Sequence, residues 1–71
     1  MSMMTITAEY DSMDTIRNTK EDLIGTGIEQ EHIYIDESEH LLKVAISSTA
    51  EPEITEILNR HNPTRLYESR Q

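Results

Sequence analysis

The stretch "HIYIDESEHLLKVAISS", residues 32–48, contains two segments in which apolar and polar side chains alternate. Alternation with a period of two is typical of a strand that buries one face. The segments cover residues 32–36 and 41–48, and the polar stretch "DESEH" where they meet suits a hairpin. We therefore predict two neighbouring antiparallel strands at the centre of the chain.

A first amphipathic helix is predicted before this hairpin, in "DSMDTIRNTKEDLIGTG", residues 11–27. Asp11 or Ser12 can cap its start, and Gly25 can end it. Lys20 lies on the apolar side, where we expect it to extend its stem past the buried surface. The predicted stripe consists of Met13, Ile16, Lys20, Leu23 and Ile24.

A second helix is predicted after the hairpin, where "SSTAEPE", residues 47–53, carries several start signals. Ser48 or Thr49 offers a hydroxyl cap, Ser48 and Glu51 have the spacing of a capping box, and Pro52 lies within the first turn. Ile54, Ile57 and Leu58 then follow at helical spacing.

The end of the second helix is predicted in "RHNP", residues 60–63. Pro63 disfavours helical geometry at the residue before it, so the helix should stop close to Arg60 or His61. A cationic or hydrogen-bonding side chain is favourable at the negative end of a helix dipole. We therefore expect a structural role for His61, not a catalytic one.

Two further strands, one before the first helix and one after the second, complete the pattern. Residues 3–10 alternate before the first helix, and "TRLYES", residues 64–69, gives a short strand after the second. The order strand, helix, strand, strand, helix, strand predicts the α+β class with a ferredoxin-like split βαβ (βαββαβ) arrangement. We expect one domain over residues 1–71, with a four-stranded antiparallel sheet and two helices on one sheet face.

This fold divides the strand residues between two faces. One face should pack against the helices and the other should remain open. The predicted helix-side residues are Met4, Ile6, Ala8, Ile33, Ile35, Leu42, Val44, Ile46 and Leu66. The predicted open face consists of Thr5, Thr7, Glu9, His32, Tyr34, Asp36, Leu41, Lys43, Ala45, Arg65 and Tyr67.

The charge of the chain limits its partners. With 14 acidic and 6 basic residues the formal net charge is -8, which repels phosphate backbones and anionic lipid headgroups. The two central strands also lack the aromatic side chains on which an RNA-binding sheet stacks bases. No stretch has the length and apolar character of a membrane span, and the N-terminus lacks a signal-peptide pattern. We expect a cytoplasmic protein that binds neither nucleic acid nor membranes.

Two classes of function remain. The first is a non-enzymatic interaction or regulatory domain that self-associates through its open sheet face and binds a protein partner. The second is a small-molecule or metal-binding domain with a shallow site on the same face. We prefer the first, because no convergent catalytic, cofactor-binding or metal-binding set is visible, and we predict none. The candidate interaction face consists of His32, Tyr34, Leu41, Lys43, Arg65 and Tyr67.

The histidines do not form a recognisable metal motif. His32 and His40 lie among carboxylates near the predicted hairpin, so a site of imidazole and carboxylate ligands is conceivable there. Their spacing matches no closed metal site, and histidines on an acidic surface are common. We expect both to be ordinary surface residues.

The segments "LIGTGIEQEHIYI" and "EPEITEILNRHNPTRLYE" resemble small bacterial general stress domains of the heat-induced stress protein type. The resemblance covers Leu23 to Glu68. It rests mainly on Gly27, Ile28, Ile33, His61 and Pro63, while the usual phenylalanine of strand one is missing. It implies a ferredoxin-like domain with a stress-related role and transfers no catalytic residue.

Overall fold

The computed structural model describes residues 2–70, the last of these by its backbone alone. Met1 and Gln71, the ends of the predicted domain, therefore lie outside the described residues. The strands are β1 (Met3–Glu9), β2 (Ile33–Asp36), β3 (Leu41–Ser47) and β4 (Arg65–Arg70), and the helices are α1 (Met13–Thr26) and α2 (Glu51–Arg60). Short 3-10 turns, Gln30–His32 and Ser48–Ala50, precede β2 and α2.

The sheet has the strand order β2-β3-β1-β4, and every neighbouring pair is antiparallel. The first strand lies in the middle, between the third and the fourth, as the split βαβ arrangement requires. The predicted α+β, ferredoxin-like fold is therefore confirmed. None of the helices within residues 2–70 is long and apolar enough to cross a membrane.

The core lies between one sheet face and both helices. The buried cluster joins alternate residues of β1 and β3, such as Ile6 and Val44, to Ile16 and Leu23 of α1 and to Ile54, Ile57 and Leu58 of α2. Of the predicted helix-side residues, Ile35 and Leu66 are partly buried and the others are buried. The period-two alternation thus places the helices on the predicted face.

Tyr10 connects three elements just beyond the end of β1. Its backbone N–H donates to the carbonyl of His40 at 3.0 Å, which continues the pairing of β1 with the β3 side. Its side chain is buried, and its hydroxyl donates to the carbonyl of Leu58 in α2 at 2.8 Å. Burial raises the pKa of Tyr10 to about 12, against a smaller opposing effect of a hydrogen bond with Thr19.

The first helix differs from its prediction at its C-terminal end. It continues through Gly25 to Thr26, and Gly27, with φ 120°, provides the cap. Ile24 is 40% exposed, so its predicted place on the buried stripe is wrong. Thr19 is buried instead. Its hydroxyl donates to the carbonyl of Thr15 at 2.7 Å, so its burial leaves no polar group without a hydrogen bond. The Ser12 cap is confirmed, since its Oγ accepts from the Thr15 N–H.

The predicted Ser48/Glu51 capping box does not form. Ser48 begins a 3-10 turn, and its backbone N–H donates to the carbonyl of Ser2 at 3.0 Å. Ala50 is the N-cap residue and makes no side-chain cap hydrogen bond, while Pro52 lies in the first turn as predicted. The pairing of β1 with β3 holds this segment in place, and it overrides the local capping signal.

We predict that Tyr10→Phe lowers the free energy of unfolding by about 1–2 kcal/mol, because the Leu58 carbonyl stays buried and loses its donor. Urea unfolding at pH 7 measures this change. Tyr67→Phe is the matched control, since its ring lies on the surface and a change within about 0.5 kcal/mol is expected there. Equal losses in both variants would contradict the role of the Tyr10 hydroxyl.

The same pair of variants tests a pH dependence. The pKa of Tyr10 is higher in the folded than in the unfolded protein. The protonated hydroxyl therefore contributes fully to the free energy of unfolding below pH 10. Between pH 10 and about 12 the unfolded chain loses this proton first, and the stability falls. The free energy of unfolding of Tyr10→Phe should lack this part of the decrease at alkaline pH, which is on the order of 2 kcal/mol. An unchanged alkaline profile in Tyr10→Phe would contradict it.

Candidate interaction face

The open sheet face is ordered into rows by the strand register. Because residues directly opposite in the ladder share a face, each row runs across all or most of the sheet. The middle row is Tyr34, Lys43, Thr7 and Tyr67. The end row is Asp36, Leu41, Glu9 and Arg65. The third row is Ala45, Thr5 and Ser69.

The middle row carries two large exposed side chains of the face, and a third, Met3, lies on β1 in a further row with Ser47. Tyr34 is 56% exposed on β2 and Tyr67 is 44% exposed on β4. Three strand spacings separate their backbones, or about 14 Å. Lys43 is exposed between them, whereas Thr7 is only 4% exposed. Thr7 was predicted on the open face, and its position in the row agrees, but its neighbours Lys43 and Tyr67 cover it.

The end row carries most of the charge. Asp36 closes the hairpin, because its Oδ1 accepts from the Ser38 Oγ at 2.8 Å and from the Glu39 N–H at 3.2 Å. The hydrogen bond from Ser38 holds the pKa of Asp36 below its usual value, followed by the Glu39 bond and, more weakly, by the charge of Lys43. At the opposite edge, the Nε of Arg65 lies 3.8 Å from the Oε1 of Glu9.

The open face is electrically neutral. Glu9 and Asp36 are balanced there by Lys43 and Arg65. The other 12 acidic and 4 basic residues of the chain lie elsewhere, and they account for the whole net charge of -8. The same four charged residues belong to the open face predicted from alternation, and the register adds how they are arranged in rows.

The six residues of the predicted interaction face do not gather at one point. Tyr34, Lys43 and Tyr67 share the middle row, Leu41 and Arg65 lie in the end row, and His32 is exposed in the turn before β2. They are therefore spread over four strands and one turn. Among residues 2–70, no group of three His, Asp or Glu side chains could hold a metal ion. The small-molecule or metal site stays a prediction.

His61 has a partner that the sequence did not indicate. Its Nε2 lies 2.8 Å from the Oδ2 of Asp22, and Arg60 approaches the same carboxylate at 4.0 Å. This links the C-terminal end of α2 to α1. His61 also caps α2 through its backbone, and Asn62 follows with φ 57°, which reverses the chain. The structural role predicted for His61 fits this arrangement, although the contact itself was missed.

An apolar groove of ≈ 310 Å³ lies at the end of β2. Ile28, Ile46 and Ala50 line it, and Glu29 and His32 are its ionisable lining residues. Val44 is the last residue of β3 that pairs with β2, and β3 continues beyond it to Ser47. The groove lies where β3 has no β2 neighbour. The groove is not among the predicted features. The shorter alternation of residues 32–36 beside that of residues 41–48 is the sequence signal that could have indicated it.

Comparison of the chain with protein-family models, with curated proteins and with solved structures gives no significant match.

We predict that Asp22 and His61 are coupled by about 0.5–1 kcal/mol, because their side chains are partly exposed and solvent weakens the pair. Urea unfolding of Asp22→Asn, His61→Gln and the double variant at pH 6 measures this coupling. The matched control cycle pairs Asp14→Asn with His61→Gln, since Asp14 contacts Arg17 instead. Additive losses in the Asp22 cycle would contradict a direct interaction.

We predict that Asp36→Ala lowers the urea midpoint and that Asp36→Asn retains most of it, because an amide oxygen can still accept the two turn hydrogen bonds. The folded pKa of Asp36 is depressed, so its contribution is present above its unfolded value of 3.8 and is lost as the pH falls through the folded pKa. Unfolding midpoints between pH 2 and 6 measure both effects. Identical acid profiles for the wild type and Asp36→Asn would contradict the carboxylate contribution.

Proposed function

We propose that the chain is a non-enzymatic interaction or regulatory domain that self-associates as a homodimer through its open sheet face. The observation that carries the proposal is the neutrality of this face in a chain of net charge -8. Two copies that meet there bring four charges of each copy together without net repulsion. Contact through the helices would instead bring together surfaces of net charge -3 per copy, since α1 and α2 hold six acidic and three basic residues.

The composition of the face supports the same proposal. Tyr34 and Tyr67 expose large rings, and tyrosine is enriched where protein surfaces associate. Leu41 and Ala45 add partly buried apolar surface between them.

The size of the face determines how strong this association can be. Four strands at about 4.8 Å spacing and some six residues of about 3.4 Å each give roughly 400 Å² of sheet per copy. A dimer then buries on the order of 800 Å² in total, below the roughly 1,200–2,000 Å² of stable specific interfaces and in the range of weak, transient contacts. We therefore propose a weak, reversible dimer, as suits a regulatory contact.

The biological setting is part of the proposal. The resemblance to bacterial general stress domains supports a stress-related role in the cytoplasm of a bacterium, with a protein partner bound by the dimer. This setting rests on that resemblance alone, whereas the dimer rests on the charge and composition of the face.

We predict that wild-type protein dimerises reversibly with rising concentration and that Tyr34→Glu and Tyr67→Glu each shift it to monomer. Each substitution adds a charge to the neutral face in both copies without changing the core. Sedimentation equilibrium from about 10 μM to 2 mM covers the range expected for an interface of this size. Circular dichroism checks that each variant remains folded.

Ile24→Glu is the matched control, because Ile24 is 40% exposed on α1 and lies away from the open face. It adds the same charge and should leave the dimer unchanged. A wild-type monomer at every concentration would overturn the proposal. So would a dimer that Ile24→Glu weakens as much as the two tyrosine substitutions do.

A further inference from the structure

We infer that the two copies meet about a twofold axis that runs parallel to the strands, so that β2 of each copy lies against β4 of the other. This inference rests on the proposed function and specifies its partner surface residue by residue. Face-to-face sheets with nearly aligned strands permit two orientations of the axis, parallel or perpendicular to the strands. The charges of the open face distinguish between them.

A perpendicular axis places each strand against the same strand of the other copy. Asp36 of β2 and Arg65 of β4 then never meet, whatever the offset along the strands. Lys43 of β3 faces Leu41, Ala45 or its own copy. No charge of the open face then meets an opposite charge of the other copy. Glu9 and Arg65 keep their contact within each copy, but the partial desolvation of Asp36 and Lys43 is left without compensation, which costs free energy.

A parallel axis, centred between β1 and β3, places each row against the same row read in reverse. In the end row, Asp36 then faces Arg65 of the other copy, and Glu9 faces Leu41 of the other copy while it keeps its contact with Arg65 of its own. In the middle row, Tyr34 faces Tyr67 of the other copy and Lys43 faces Thr7 of the other copy. Each aromatic ring meets a ring and no like charges oppose each other. Twofold symmetry forms each of these pairs twice.

The side chains at the sheet corners are free to make the ion pair. The side chain of Arg65 is 73% exposed, and its contact with Glu9 involves Nε, so two other guanidinium nitrogens are available. The turn hydrogen bonds from the Ser38 Oγ and the Glu39 N–H both reach Oδ1 of Asp36, so Oδ2 is the oxygen on which a second partner can bind. The carboxylate can therefore keep its turn contacts and bind the arginine of the other copy.

Oxidative cross-linking of the native tyrosines tests the axis. Photolysis with tris(bipyridyl)ruthenium and persulfate couples tyrosine rings that lie in contact. Tyr10 is buried, and about 14 Å separates Tyr34 from Tyr67 within one copy, so a 34–67 link must form between copies. Peptide mapping of the linked dimer identifies which tyrosines are joined, and the expected product is the 34–67 link.

Phenylalanine variants separate the two axes. Tyr34→Phe and Tyr67→Phe keep the ring contact and remove the phenol that couples. With a parallel axis, neither variant alone forms a linked dimer, whereas a mixture of both does, at roughly a quarter of the wild-type yield because half of the dimers hold one reactive pair instead of two. A perpendicular axis gives 34–34 and 67–67 links, and each variant then links to itself.

The ion pair gives an independent readout. Asp36→Asn and Arg65→Gln should each weaken the dimer by roughly two- to thirty-fold, and the double variant should weaken it no further, since all three lose the same two pairs. Asn at this position keeps the acceptor of the turn. Sedimentation equilibrium measures the dissociation constants, and additive effects would overturn the pairing.

The outcomes separate this inference from the proposed function. A dimer with 34–67 links and a non-additive Asp36–Arg65 cycle supports both. A dimer that Tyr34→Glu disrupts but that forms same-residue links, or no tyrosine link, overturns the axis and leaves the proposed function standing. A monomer at every concentration overturns both.

Discussion

The antiparallel pairing of β1 with β3 is the constraint on which the rest of the structure depends. It covers seven residue pairs, from Met3 with Ser47 to Glu9 with Leu41, and Tyr10 extends it by one more hydrogen bond. Since side chains alternate along a strand, this register decides which residues reach the helices and which remain on the open face. A slip by one residue would turn Thr7 and Lys43 into the core and expose Ile6 and Val44.

The alternation of side chains in β1 and β3 explains how much of the fold can be predicted from the sequence. Alternation in β1 and β3 is strong enough to assign both faces, and the order of elements then leaves one common topology. Two predictions drawn from local signals are wrong. Gly25 is the predicted end of the first helix, but Gly27 is the residue with the positive φ that a cap requires. Ser48 has the spacing of a capping box, but its backbone is held by Ser2.

The candidate face was predicted as a set of residues, and the arrangement within the set was not. Alternation shows that Tyr34, Lys43 and Tyr67 point the same way, but it does not show that they form one row with Thr7 between them. That requires the register of three strand pairs. The contact of Asp22 with His61 was out of reach for a similar reason, since 39 residues separate the two and the packing of α1 on α2 brings them together.

Stability and association are coupled in a domain of this size. A chain of 71 residues buries a smaller fraction of its surface than a larger domain does, so the free energy of unfolding is expected to be small. Any partner that binds the folded and not the unfolded chain adds to that stability in proportion to the logarithm of its concentration. The proposed weak dimer over the open face would therefore link the abundance of the protein to the fraction that is folded.

The charge distribution bears on where such an assembly ends. In the proposed dimer the neutral face is occupied, and the helices, with a net charge of -3 per copy, would oppose further association by repulsion. Under this proposal, self-association stops at two copies without a dedicated blocking element.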